Sequence, residues 1–184
     1  RVRSSPSPCF TMEKDDLVNW VKKYEESDYG WSSKCEKEVG FNIRKNKFLT
    51  KSDLNEIIKW KFQSLPGRKK IFLGYADKLN EKDLKEDTST IFKEKDELKK
   101  IELLLRFKGI GISLASVILT FYNPKDYCIF DIHIWRELFG KEPKNFYTIE
   151  NYLRLLKELR KMSSSCVLNV RDIEKALFQK NLEK

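Results

Sequence analysis

Apolar side chains along this chain recur mostly every three or four residues, the spacing of one helix face, and not in the alternation of a half-buried strand. Between Glu13 and Glu26, Leu17, Trp20, Val21 and Tyr24 fall on one stripe, with Asp15 and Asp16 in the first turn, where the helix dipole favours acids. Thr50 opens a second helix with Asp53 in the capping-box position and Leu54, Ile57, Ile58 and Phe62 on its stripe; Pro66-Gly67 is expected to end it. Further helices are predicted over 68–79, 81–93 and 94–107, the last strongly amphipathic through Leu98, Ile101, Leu104 and Leu105. From Ile112 to Tyr122 nearly every residue is apolar, which only a buried central helix explains. Two terminal helices follow, over 148–161 and 170–182, with Thr148 and Asn169 as N-caps and Met162-Ser-Ser-Ser-Cys166 between them. Residues 27–49 give no clean period, because Gly30 and Gly40 interrupt the aromatics Tyr29, Trp31, Phe41 and Phe48.

Composition agrees with the pattern. Only 7 Gly and 5 Pro among 184 residues leave few tight turns and argue against a many-stranded sandwich or barrel. The 12 Phe, 7 Tyr and 4 Trp supply enough bulk for a core and exclude disorder over most of the chain. Residues 1–12, rich in Ser, Pro and Arg, are expected to be a disordered tail or a remnant carried ahead of Met12, and they lack the apolar core of a secretory signal. The remainder, 13–184, is expected to form a single helical domain.

Lys and Arg outnumber Asp and Glu by 37 to 28, a net +9 that favours polyanionic partners. The excess is spread over both halves of the chain, so any basic patch must be assembled by folding. Cys9, Cys35, Cys128 and Cys166 show no paired spacing of the zinc or iron–sulfur kind, and His133 is the one histidine, so no metal or other cofactor is expected. Free thiols and the lack of an apolar run near the ~20 residues of a membrane span point to a reducing compartment and no membrane partner.

The stretch that carries chemistry runs through Lys108-Gly109-Ile110-Gly111 between an amphipathic and an apolar helix. Two glycines around one aliphatic residue make a hairpin whose backbone N–H groups, beside a helix N-terminus, can hold a phosphate without a charged side chain. Ile110 would plug the space between the helices and Ala115 would let them approach; an ordinary helix–turn–helix corner is the bland alternative. Asp131 stands twenty residues after Gly111, at the entrance of a helix carrying Ile134, Trp135 and Leu138. It reads as an N-cap, or as a carboxylate held near the hairpin to face nucleic acid.

Together, Phe107-Lys-Gly-Ile-Gly-Ile-Ser-Leu-Ala115 and Phe130-Asp-Ile-His133 resemble the helix-hairpin-helix DNA glycosylase superfamily, the endonuclease III-like group, over roughly residues 98–140. The resemblance implies an all-α, two-lobed helical bundle with a hairpin at 98–122, a catalytic-Asp helix at 131–140 and a central cleft that takes a base flipped out of the duplex. It casts Asp131 as the catalytic carboxylate that stabilises oxocarbenium character on the sugar or activates water. Lys108, Gly109, Ile110, Gly111, Ser113 and His133 become DNA-binding residues, and Trp60, Trp31 and Tyr75 candidates for a base pocket or wedge, though each also suits a core. Lys69 and Lys70, with Arg68, could meet phosphate or form a solvated face, and Arg136 could pair with phosphate or with an acidic neighbour.

Bifunctional members of that group carry a Schiff-base lysine where this chain has Ser113, so the implied enzyme is monofunctional, hydrolysing the N-glycosidic bond of a damaged or mispaired base. The four-cysteine iron–sulfur loop of some branches is absent. Expected partners are lesion- or mismatch-bearing duplex DNA, bound by a monomer in the nucleoid of a prokaryote or the nucleus of a eukaryote. The alternatives are a non-catalytic helix-hairpin-helix module that recognises lesions or junctions, and a helical interaction protein without nucleic-acid contact.

Overall fold

The computed structural model describes residues 14–27 and 30–184, and these are all-helical, as the periodicity predicts. The helices are α1 (Lys14–Glu26), α2 (Gly30–Asn46), α3 (Lys51–Lys61), α4 (Pro66–Asp77), α5 (Glu81–Lys93), α6 (Glu97–Leu105), α7 (Ile112–Tyr122), α8 (Ile132–Phe139), α9 (Ile149–Ser165) and α10 (Val170–Leu182). The tail at 1–12, Cys9 and the side chain of Trp31 lie outside the described residues. No helix among those described is long and apolar enough to cross a membrane.

Polar caps set many of the starts. Thr50 and Asp53 form a complete capping box: Asp53 N–H donates to the threonine hydroxyl and the Asp53 carboxylate accepts from Thr50 N–H. Thr148 accepts from Asn151 N–H, and Asn169 from Asp172 N–H. Asn80, Asp96 and Asp131 cap α5, α6 and α8 in the same way.

Four local expectations need correction. Residues 27–49, which gave no clean period, contain the 17-residue helix α2. Its inward stripe is Ser33, Glu36, Val39 and Ile43, so half of it is polar and escapes a hydrophobic pattern. Gly40 further weakens the pattern, yet a Cβ there would come within 2.8 Å of both Phe121 O and the Arg44 guanidinium, which donates to that carbonyl at 2.6 Å. Pro66 does not end a helix. It sits at the first position of α4, where its fixed φ suits a helix start and its missing N–H costs nothing, while α3 has already stopped at Lys61. The helix expected over 94–107 starts later, at Glu97, behind its Asp96 cap. The serines expected to separate the last two helices belong to α9, with Ser164 and Ser165 hydroxyls donating back to Lys161 and Met162 carbonyls.

Helix α7 occupies the centre against α2, α3 and α6, and Leu114 through Phe121 are all buried. Its two buried hydroxyls bond within the helix: Thr120 donates to Ser116 O, and the Ser116 hydroxyl to Ser113 O. Helix α10 packs against α1, α8 and α9. Between α6 and α7 the chain turns within six residues. Gly109 takes φ +93°, closed by an Ile110 N–H bond to Phe107 O, and Ile110 is buried as the plug its position suggested.

Candidate active site

Asp131 is delivered by a buried, non-helical segment, 128–130, in which each residue has a backbone group held. Tyr152 Oη donates to Cys128 O at 3.1 Å, Ile129 N–H donates to Glu174 at 3.2 Å, and Phe130 N–H donates to Ser116 Oγ at 2.9 Å. Non-helical backbone in a core survives only with such partners. Here they tie the segment to α9, α10 and α7 at once, which fixes where Asp131 emerges.

At the mouth of α8 the two carboxylate oxygens of Asp131 do different work. Oδ1 accepts the His133 N–H at 3.1 Å as an N-cap. Oδ2 faces the Lys61 ammonium at 3.4 Å, in a pair whose side chains are 26% and 14% exposed. Burial by itself pushes this carboxyl up. The Lys61 charge, the His133 N–H and the His133 ring outweigh burial and hold it below its ordinary value, so the group is a carboxylate at neutral pH.

The pair stands in the wall of a cavity of ≈ 680 Å³, inside the ~300–1,000 Å³ range of small-ligand sites. Aromatic faces come from Tyr24, Trp60, Phe62, Phe72 and Phe178. Gly111, Ile112 and Ser113 bring the first turn of α7 to the wall. The opening to solvent is marked by two large exposed side chains, Leu65 in the α3–α4 turn and Tyr147 before α9. Gln63, also in that turn, has a buried Oε1 without a hydrogen-bond partner.

One side of the cavity rests on a buried charge cluster. Arg171 binds Glu36 through Nε and Nη2 and Glu174 through Nη1. Two carboxylates share one guanidinium, so they cannot be stabilised equally. Burial raises both, but Arg171 pulls Glu36 below its ordinary value, whereas Glu174, fully enclosed and next to Glu36, stays above its own.

The sequence candidates separate on this geometry. Asp131, Ser113, Gly111, His133 and Trp60 line the cavity. His133 is also structural: Nδ1 shares a 2.9 Å hydrogen bond with Asn181 Oδ1, and the ring meets Phe178 edge-on at 5.4 Å. Trp60 packs edge-on against Phe121 and lies beneath Arg171, so it is a wall and not a projecting wedge. Lys108, Gly109 and Ile110 lie off the cavity. Lys108 stands over the Tyr75 ring, and Tyr75 packs beneath the turn, against the position a Gly109 Cβ would take, so it too is outside the cavity. Arg136 is engaged bidentately by Glu142, and Arg68 joins the cavity wall.

Lys61, Gln63, Leu65, Tyr147, Arg171 and Glu174 were not singled out by the sequence. No local pattern marks them, because each reaches the site by long-range packing; only the adjacency of Lys61 to Trp60 could have suggested it. Among the described residues no group of three His, Cys, Asp or Glu side chains is placed to hold a metal ion, and Cys35, Cys128 and Cys166 are free thiols. No protein-family model, curated protein or solved structure matches the chain significantly.

Proposed function

We propose that this protein is a DNA glycosylase that releases a damaged or mispaired base flipped out of duplex DNA. The observation that carries the reading is Asp131: a carboxylate kept ionised despite burial, at a fixed place in the wall of an aromatic-lined cavity. Cleavage of an N-glycosidic bond builds positive charge at C1′ and O4′ of the sugar. A carboxylate within reach stabilises that charge, or takes a proton from the water that attacks C1′. A carboxyl whose pKa is depressed suits the electrostatic role first, is a weaker base toward water, and does not suit protonating the leaving base.

The surroundings fit an extruded nucleotide. Trp60, Tyr24 and Phe178 offer apolar faces for a planar base, and Gln63 offers a carboxamide oxygen to its N–H groups. Leu65, exposed at the rim, replaces the sequence candidates Trp60 and Tyr75 as the side chain that fills the space the base vacates. The α6–α7 turn acts as the helix-hairpin-helix grip: α7 starts at Gly111 with no side-chain cap, leaving first-turn N–H groups for a backbone phosphate. Net charge of +9 adds a non-specific attraction. In this reading the protein works as a monomer wherever the cell keeps its DNA, in the nucleoid or the nucleus.

The test is a panel of duplexes bearing uracil, alkylpurine, oxidised purine or mismatches, followed by alkaline strand scission. Base release by the natural chain and its loss in Asp131→Asn, with duplex affinity kept, is the expected result. Salt-dependent binding with no product on any lesion would make the protein a non-catalytic hairpin module. Lack of binding would remove DNA altogether.

A further inference from the structure

We propose that the cavity selects a neutral lactam base, in which a ring N–H adjoins a carbonyl as in uracil or hypoxanthine, over a cationic N-alkylpurine, and that Gln63 reads the lactam edge. The inference rests on the glycosylase reading and narrows its substrate to one chemical class.

A cationic base is held by a carboxylate or by the electron-rich face of an aromatic ring. This cavity offers both, but with protein cations in place on them. Its wall contains the cations Lys61, Arg68 and Arg171 and the carboxyl groups of Asp131 and Glu174. Lys61 faces Asp131 at 3.4 Å and Arg171 binds Glu174. Glu36, which shares Arg171, is not part of the wall. Arg68, exposed at the mouth, has no carboxylate partner among the described residues. The wall therefore has no unmatched carboxylate and one cation over. The rings are engaged as well. The buried Arg171 guanidinium lies 5.9 Å from the centroids of both Tyr24 and Trp60, within the ~6 Å reach of a cation–π contact. Phe62 and Phe72 stack on each other at 4.6 Å, which takes one face of each. A base that arrives with a positive charge meets repulsion and gains no new counter-charge.

A neutral lactam meets no such repulsion and gains a partner. Gln63 Oε1 is buried in the wall without a hydrogen-bond partner, an unmet cost that a donor on the ligand removes. The lactam N–H donates to that oxygen, and the adjoining carbonyl accepts from the N–H of the same carboxamide, so the two amides pair edge to edge. The charge balance also suits the way such a base departs. As the C1′–N bond breaks, its electron pair goes to the base, which becomes an anion delocalised over ring nitrogen and carbonyl oxygen. The oxygen of water bonds to C1′, keeping one proton as the new hydroxyl, and the other proton passes through solvent to the base. Surplus positive charge in the wall stabilises that anion as it forms. An N-alkylpurine cation leaves as a neutral base and gains nothing from it.

The experiment gives the full chain duplexes carrying uracil, hypoxanthine or 7-methylguanine. The last keeps an N–H beside a carbonyl and adds a positive charge, so it isolates the charge. Base release is divided by the spontaneous rate for each lesion, because the alkylated base leaves unaided far faster. Affinity is measured on the same duplexes built with 2′-fluoro sugars, which resist cleavage. The expected acceleration for uracil or hypoxanthine exceeds that for 7-methylguanine by about 100-fold, the effect of one unmatched charge near the base, and affinity follows the same order. Gln63→Leu should lower kcat/KM on the lactam base about 10-fold. Gln63→Glu, which adds a carboxylate to the wall, should move the ratio toward 7-methylguanine. Equal or greater acceleration and affinity for 7-methylguanine overturns the proposal and leaves the glycosylase reading standing. Unchanged kinetics on both lactam bases in Gln63→Leu overturns the role of Gln63. Preferential binding of a lactam duplex with no base released from any lesion upholds the selectivity and overturns the glycosylase reading. Neither preference nor release overturns both.

Discussion

Substituting Gly109 by Ala tests whether the α6–α7 turn has the geometry described, and its neighbour Gly111 provides the control. Gly109 sits at φ +93°, where an L side chain costs about 1–2 kcal/mol. A Cβ there would also lie 2.6 Å from Tyr75 Cβ and 2.8 Å from two ring atoms, against an ordinary carbon–carbon separation of ~3.5–4.0 Å. Because the nearest atom is a Cβ, no rotation of the Tyr75 side chain relieves the overlap; α4 or the turn itself must move by nearly 1 Å. Overpacking of this kind costs about 1–3 kcal/mol, so the expected sum is about 3 kcal/mol, or roughly 6–12 °C in melting temperature for a chain this long. Gly111, at φ −89° with nothing within 4 Å of an added Cβ, has neither problem. Gly111→Ala loses only an N-cap preference, under about 1 kcal/mol. Urea unfolding of both variants decides the matter. Equal losses, or a Gly109→Ala loss under about 1 kcal/mol, would refute the geometry.

Asp131→Asn keeps a cap that can accept the His133 N–H but turns its NH2 toward the part-buried Lys61 ammonium, so it should cost about 1–2 kcal/mol, and Asp131→Ala more; a thermal melt showing gross unfolding of the Asn variant would mean that any loss of activity reports the fold. Glu36 has its folded pKa below the unfolded value, so its contribution is complete above about pH 4.5 and disappears as pH falls through the lowered folded value. Glu174, raised, contributes in the opposite sense: its share is present below about pH 4.5 and lost as pH rises through the folded value. Denaturant unfolding at neutral pH should therefore find Glu36→Gln destabilised by about 3 kcal/mol, with a flatter acid limb, and Glu174→Gln near neutral or stabilised. Equal losses for the two would contradict the unequal sharing of Arg171. Leu65→Ala, at an exposed rim position, should change stability by no more than about 0.5 kcal/mol. It should slow base release from a paired lesion far more than from the same lesion in single-stranded DNA; an equal effect on both would exclude a wedge.

Helices whose boundaries depend on local chemistry were legible in the chain. The starts after Thr148 and Asn169 and the span 112–122 follow from a capping oxygen or an unbroken apolar run, both contained within one turn of sequence. Helix α2 was not legible because its buried face is made acceptable from far away. Glu36 is paid for by Arg171, 135 residues later, and Gly40 makes sense only beside Phe121 O. The site divides along the same line. Asp131 and the turn of 108–113 announce themselves through residue type and spacing, whereas Lys61, Arg171 and Glu174 look like ordinary surface charges until the fold encloses them.

Asp131 as a cap and Asp131 as an ionised carboxylate at the cavity wall are not alternatives on the geometry. The His133 N–H that makes it a cap also favours its charged form, and Lys61 adds to that effect from α3. An N-cap alone would be served by Asn, Ser or Thr, and it would need no cation beside it. A catalytic carboxylate alone would need some device to stay ionised while 26% exposed at a cavity wall. The cap supplies part of that device at a fixed position, because the backbone leading into α8 is tied to three other helices. The hydrogen bond that starts α8 is therefore also one that keeps the cavity-wall carboxylate charged. This is why the pattern of one helix start singled out Asp131, and why its cationic partner could be seen only once α3 had been packed against it.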